Sequence, residues 1–269
     1  MSKIIYYYQT FIGLDDLLSK STNVVTHIHL SSIHFGTDQN KPYIHLNDYS
    51  PDNHRFDSVW SDLEKCVSKD IKVVLMIGGA GGGYSSLFSD YDTYKDLLFN
   101  TIKQYNHIIS GVDLDIEEFV DYDNVIQLIK DIKTEFGNDF SISMAPLQQS
   151  IETDSIGMGG FSYKKLYESE VGKYIDYFCV QFYNCFSEMN FDNCVNNGYP
   201  PEMIVMGMLT GMDYDTIKHE LADTSKKYKE NFGGVFVWEY YDAPPKGSIN
   251  PAYWSIDMYN QLFKAPSRD

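Results

Sequence analysis

Ser110-Gly111-Val112-Asp113-Leu114-Asp115-Ile116-Glu117-Glu118-Phe119 is the stretch on which the reading of this chain turns. Successive side chains of a strand point to opposite faces. Val112, Leu114 and Ile116 therefore share one side, and Asp113, Asp115 and Glu117 the other. If helices cover the apolar side, the three acids point into the interior of a closed sheet. An unpaired buried carboxylate forfeits its hydration, and like charges about 6.6 Å apart along a strand make joint ionisation costlier still. Proton sharing relieves that cost: Asp113 bonds Asp115, Asp115 holds or passes a proton toward Glu117, and Glu117 at the C-terminal end stays protonated. A raised acid at the mouth of a barrel is a proton donor for a leaving group. Two other readings compete. A solvated edge strand would not show so clean an apolar alternation, and a calcium loop needs a glycine at its sixth position, which this segment lacks.

Working outward, comparable β-branched or aromatic runs recur at Lys3–Tyr8, Val24–Ser31, Lys72–Ile77, Gly111–Glu117, Phe140–Ala145, Asp176–Tyr183, Met203–Leu209 and Gly233–Glu239. Between most of them lie segments with helical spacing: Phe56–Ser68, Tyr91–Ile108, Tyr122–Phe136 before Gly137, Ser162–Val171, Tyr214–Tyr228 and Tyr253–Phe263. Strand followed by helix predicts a parallel sheet covered on its faces, and eight repeats favour closure into a barrel over an open doubly wound sheet. The predicted fold is thus α/β, a single (β/α)8 barrel over residues 1–269 with no large inserted domain. The open sheet also lacks its usual cofactor signal. Gly78-Gly79-Ala80-Gly81-Gly82-Gly83 follows a strand, but Tyr84 stands where a dinucleotide loop needs its last glycine. No Gly-Lys-Ser/Thr ends a phosphate loop, so no cofactor is expected. Two long connections, about His34–Arg55 and Cys185–Pro201, read as loops on the upper face.

With 21 Lys+Arg against 38 Asp+Glu the net charge is -17, which disfavours nucleic-acid and anionic-membrane partners and leaves neutral substrates open. Cys66, Cys179, Cys185 and Cys194 are too few for a disulfide scaffold; free thiols are expected, with a Cys185–Cys194 bridge as the alternative. The first residues, Met1-Ser2-Lys3-Ile4-Ile5-Tyr6-Tyr7-Tyr8, form too short an apolar run for a leader, so a cytoplasmic or other intracellular location is expected over secretion. His27 and His29 share a strand face without an evident third ligand, so they read as interior or site-lining residues and no metal is expected.

The chain resembles family 18 of the glycoside hydrolases, the chitinase and endo-β-N-acetylglucosaminidase family, and within it the compact plant and fungal chitinases. The family pattern Asp-Gly-x-Asp-x-Asp-x-Glu is met by Gly111, Asp113, Asp115 and Glu117, with Ser110 in place of the first Asp. Ile5-Tyr6-Tyr7-Tyr8-Gln9 resembles the first strand, and Met76-Ile77-Gly78-Gly79 the Ser-x-Gly-Gly strand with Met76 replacing serine. Ser143-Met144-Ala145-Pro146, Gln181-Phe182-Tyr183-Asn184 and Gly233-Gly234-Val235-Phe236-Val237-Trp238 are similar to later strand motifs. These matches run in order along nearly the whole chain.

The resemblance implies substrate-assisted retention, in which the acetamido carbonyl of the bound sugar attacks its own anomeric carbon and only one protein acid is needed. It implies Glu117 as proton donor, Asp115 as the group orienting the acetamido N–H, Asp113 tuning Asp115 from beneath and Tyr183 holding the acetamido oxygen. It further implies substrate contacts from Tyr6, Gly79, Met144, Gln181, Asn184 and the floor residue Trp238, often followed by a non-proline cis peptide. Ser110 is expected to thin the proton-sharing chain and alter pH dependence, and Met76 to repack the interior. The expected partner is an N-acetylglucosamine oligosaccharide or polysaccharide and the expected state a monomer. Chitin or its oligomers come first as substrate. The alternatives are the chitobiose core of an N-glycan, or a chitinase-like lectin without catalysis, against which the retained Asp115 and Glu117 argue.

Overall fold

The computed structural model describes residues 2–245 and 247–263. Its strands are β1 (Lys3–Tyr8), β2 (His27–Asp38), β3 (Lys41–Leu46), β4 (Lys72–Gly78), β5 (Ile109–Asp115), β6 (Ser141–Met144), β7 (Tyr177–Gln181), β8 (Ile204–Leu209) and β9 (Gly234–Trp238). All but β3 run parallel in the order β1-β9-β8-β7-β6-β5-β4-β2, and a β1–β2 pairing closes the ring. Helices fill the connections, so this is an eight-stranded (β/α)8 barrel with minor additions. Helices Tyr122–Phe136 and Tyr214–Tyr228 fall where the apolar spacing predicts, the first capped by Asp121 and ended by Gly137 at φ 84.

Side-chain parity sorts the core into two. The outward faces of the strands, with Leu30, Leu75, Val112, Leu114, Ile142, Val180 and Val235, join the helices in one large apolar cluster. The barrel interior is separate and smaller: Ile5, Tyr7, Met76, Ala145, Tyr177, Cys179, Val205 and Phe236, with Tyr183 and Trp238 packed on it. Gly207 on β8 makes room there, since a Cβ at that position would collide with the Phe236 ring. Met76 does fill interior space.

Both supposed upper loops carry structure. β2 runs on past Ser31 to Asp38 and turns back through Gln39 (φ 47) and Asn40 (φ 62) into antiparallel β3. Pro42 is tolerated because β3 pairs with β2 alone and is an edge strand. Within Cys185–Pro201, Ser187 accepts a hydrogen bond from Asn190 N and starts a helix, Glu188–Asn196. All four cysteines are free, so the Cys185–Cys194 alternative falls. Among the described residues no helix is long and apolar enough to cross a membrane.

Candidate active site

β5 carries its acids up the barrel axis. Asp113 lies deepest, fully buried, and each of its oxygens has a donor: Tyr7 Oη–H at 2.7 Å on Oδ2 and Ser143 Oγ–H at 2.6 Å on Oδ1. His29 Nδ1 stands 3.4 Å from Oδ2, while its Nε2 meets Tyr177 Oη at 3.0 Å. Burial pushes the Asp113 carboxyl up, but His29 and the hydrogen bonds from Ser143 and Tyr7 outweigh it and leave the group below the ordinary carboxylate value. Of the two buried acids, Asp113 is the charged one.

Asp115, two residues higher, is almost as buried at 5% exposure, yet its Oδ1 has no hydrogen-bond partner. Burial, then Glu117, then Asp113 push its carboxyl well above the ordinary value, so it holds a proton. Its carbonyl accepts from Gly79 N at 2.9 Å, and the Gly79 Cα faces the carboxylate, close enough that an added Cβ would lie 3.5 Å from Asp115 Oδ2. Glu117 lies beyond the last ladder residue, half-buried at the barrel mouth. Gln181 Nε2 donates to Glu117 Oε1 at 3.3 Å and to Ala145 O at 2.9 Å, which ties the acid to the ends of β6 and β7.

Across the mouth, Tyr183 and Trp238 rest on the interior cluster, the Tyr183 and Phe236 rings 6.4 Å apart and those of Trp238 and Tyr7 5.4 Å apart. Burial, with Asp115 next, raises the Tyr183 phenol well above its ordinary value and keeps it a hydrogen-bond donor. The Trp238–Glu239 peptide is cis. Glu239 accepts from Gln9 N, Thr10 N and Thr10 Oγ1, binding the end of β9 to the end of β1 at the barrel mouth.

Three expectations need correction. Tyr6 does not reach the site: it faces the helix layer, donates to Pro251 O at 2.7 Å and accepts from Ser255 N at 3.0 Å. Its neighbour Tyr7 is the inward ring. Met144 likewise faces outward into the large apolar cluster, because Ser143 beside it is the residue that reaches Asp113. Ser110 has the parity of Val112, not of Asp113, and donates to Val73 O at 3.1 Å, so it is outside the barrel interior. Asp113 itself is bonded by Tyr7 and Ser143, and the expected hydrogen bond from Asp113 to Asp115 is not made. Asn184 is exposed, with φ 61, just past Tyr183 on the rim. Gln181, Gly79, Asp113, Asp115, Glu117, Tyr183 and Trp238 do converge. Sequence reasoning missed Tyr7 and Ser143, the two hydroxyls that hold Asp113. His27 bonds Thr26 Oγ1 at 2.8 Å, so the two histidines have separate partners. Together with His29, Asp113 and Cys179 set ligand-type atoms within 4.8 Å of one another, but the hydroxyl donors already account for the Asp113 carboxylate.

Residues 3–230 match the model of the glycosyl hydrolases family 18. Chitinase 2 of Rhizopus oligosporus is 27% identical over 226 residues, covering 74% of this chain and 39% of that protein. Acidic endochitinase SE2 of Beta vulgaris is 26% identical over 247 residues, 80% of this chain and 78% of its own length. The chain thus spans about two fifths of the Rhizopus relative. Among solved structures, a fungal endo-β-N-acetylglucosaminidase from family 18 superposes with TM-score 0.87 at 27% identity, covering 99% of this chain and all of that one. The chitinase ChiC of Aspergillus fumigatus gives 0.84 at 28% identity, with 96% and 98% covered.

Proposed function

The chain belongs to glycosyl hydrolase family 18, a family of enzymes, and from that premise we propose that it is a retaining endo-glycosidase cleaving β-1,4 linkages after N-acetylglucosamine in chitin or its oligomers. The observation that carries the reading is the bare, buried Oδ1 of Asp115, set between a fully bonded Asp113 and a half-open Glu117. A buried polar atom left without a partner is costly, and an acetamido N–H from a bound sugar supplies one. In this mechanism the sugar ring lies on Trp238, and the Tyr183 hydroxyl holds the acetamido oxygen against the anomeric carbon. Glu117 gives its proton to the glycosidic oxygen as that bond breaks and the acetamido oxygen bonds C1. Asp115 Oδ1 accepts the acetamido N–H. As positive charge develops on the oxazolinium, the Asp115 proton shifts toward the Glu117 carboxylate, so that the two carboxyls together carry one balancing negative charge. Glu117 then removes a proton from water, which opens the intermediate with the starting configuration restored.

The likeness to the fungal endo-β-N-acetylglucosaminidase over that whole chain favours a second reading, cleavage within the chitobiose core of an N-glycan. Both readings are tested by offering chitotetraose and a high-mannose glycoprotein to the protein and to its Glu117→Gln variant. Release of shorter oligomers, lost by about 10²–10⁴-fold in the variant while sugar binding survives, supports the first reading. Release of the glycan alone selects the second. Undiminished hydrolysis in the variant overturns both.

A further inference from the structure

Phe119 is 80% exposed, two residues beyond Glu117. It does not hang free. Val120 N donates to Gly159 O at 3.0 Å, which pins the segment after β5 to the loop around residue 160. The ring rests on Gly160, at φ +80, where any Cβ would collide with it. The result is a phenyl face seated on bare backbone and open to solvent on its other side. Nothing in the mechanism above uses it.

Its direction follows from the barrel. β9, which ends in Trp238, and β5, which leads to Glu117, stand four places apart in a ring of eight strands, on opposite sides of the mouth. A sugar lying on Trp238 that hands its glycosidic oxygen to Glu117 must project its departing residue over the β5 side. Phe119 stands on that side. We infer that Phe119, seated on Gly160, is the stacking platform for the leaving saccharide, a neutral pyranose whose axial C–H face covers the ring. This deepens the proposed glycosidase reading and rests on it. The enzyme on this account grips the departing half of its substrate through apolar contact with one ring, and it prefers oligosaccharides to donors with a small leaving group.

The test compares chitotetraose with β-chitobiosyl fluoride, whose departing fluoride is too small to cover a ring. In Phe119→Ala the ratio of kcat/KM for the tetrasaccharide to that for the fluoride should fall by about tenfold, as loss of one buried ring face predicts. Phe119→Trp should restore the ratio. Gly160→Ala, which keeps the ring but unseats it, should lower the ratio in the same sense. An unchanged ratio overturns the platform, whether both rates hold or both fall together. If the wild-type protein cleaves neither donor, the chitin-oligomer reading fails separately, and calorimetry still decides the platform. Chitotetraose should then bind Glu117→Gln about tenfold more tightly than the Glu117→Gln, Phe119→Ala double variant. Equal affinities overturn it.

Discussion

Two residues separate Asp113 from Asp115 on one strand, yet their surroundings differ in kind. Asp113 is closed in by Tyr7, Ser143 and His29, with a donor on each oxygen, and is held charged. Asp115 is equally dry but leaves an oxygen bare and keeps its proton. The lower barrel therefore leaves neither Asp113 oxygen open, whereas the upper barrel leaves Asp115 Oδ1 bare where a ligand can complete it. Satisfied buried polar groups rigidify a fold, and unsatisfied ones store a binding requirement.

The sharpest way to break this contrast is Asp115→Asn. Activity should drop by about 10²-fold, since an amide, unlike the Asp115 carboxyl, cannot ionise as the intermediate's positive charge develops beside it. Stability should move the other way. Because the folded carboxyl titrates above its ordinary value of 3.8, the folded protein binds the proton more tightly than the unfolded chain. Wild-type stability is therefore eroded as pH rises from there toward the folded value. Asp115→Asn removes that slope, so it should melt higher than wild type at pH 8 and alike at pH 3. A lower melting temperature at pH 8 would show that Asp115 is not a strained acid.

Tyr7→Phe attacks the lower half. It strips a donor from Asp113 Oδ2 and should cost about 1–3 kcal/mol in denaturant unfolding. Here the folded carboxyl lies below its ordinary value, so its stabilisation is present at neutral pH and lost as pH falls through the folded value. In Tyr7→Phe the folded value moves back toward the ordinary one, so that acid-side loss should be smaller and end at higher pH; an unmoved acid limb would deny Tyr7 its part. The smallest effect belongs to Tyr6→Phe. It loses only the bonds to Pro251 and Ser255 outside the barrel, about 1 kcal/mol, and KM for chitotetraose should not change. A raised KM would return Tyr6 to the site.

What the sequence disclosed follows the same division. The Val112, Leu114, Ile116 alternation was enough to aim Asp113 and Asp115 inward, because an apolar face admits one orientation. Tyr6, Tyr7 and Tyr8 offer no such asymmetry: three identical side chains in a row leave the inward one undetermined until β1 pairs with β9. Met144 and Ser110 show a different fault. Membership of a motif does not place a residue in the site: strand parity alone puts Ser110 with Val112 and on the helix side. The hairpin of β2 and β3 was hidden because Gln39-Asn40 is not a usual turn pair and Pro42 suggested a loop. Phe119 could not be weighed from sequence at all, since its exposure depends on a glycine forty-one positions away.

The seam between the first and last strands has a consequence for synthesis. Lys3 N bonds Gly233 O, Tyr240 N bonds Tyr7 O, and Glu239 clasps the backbone after β1. A chain still emerging from the ribosome cannot make these contacts before residue 240 has cleared the exit. Until then β1 and β8 each present an unpaired edge. Such late, long-range closure slows folding and leaves two strand edges open to wrong pairing over most of the chain's synthesis.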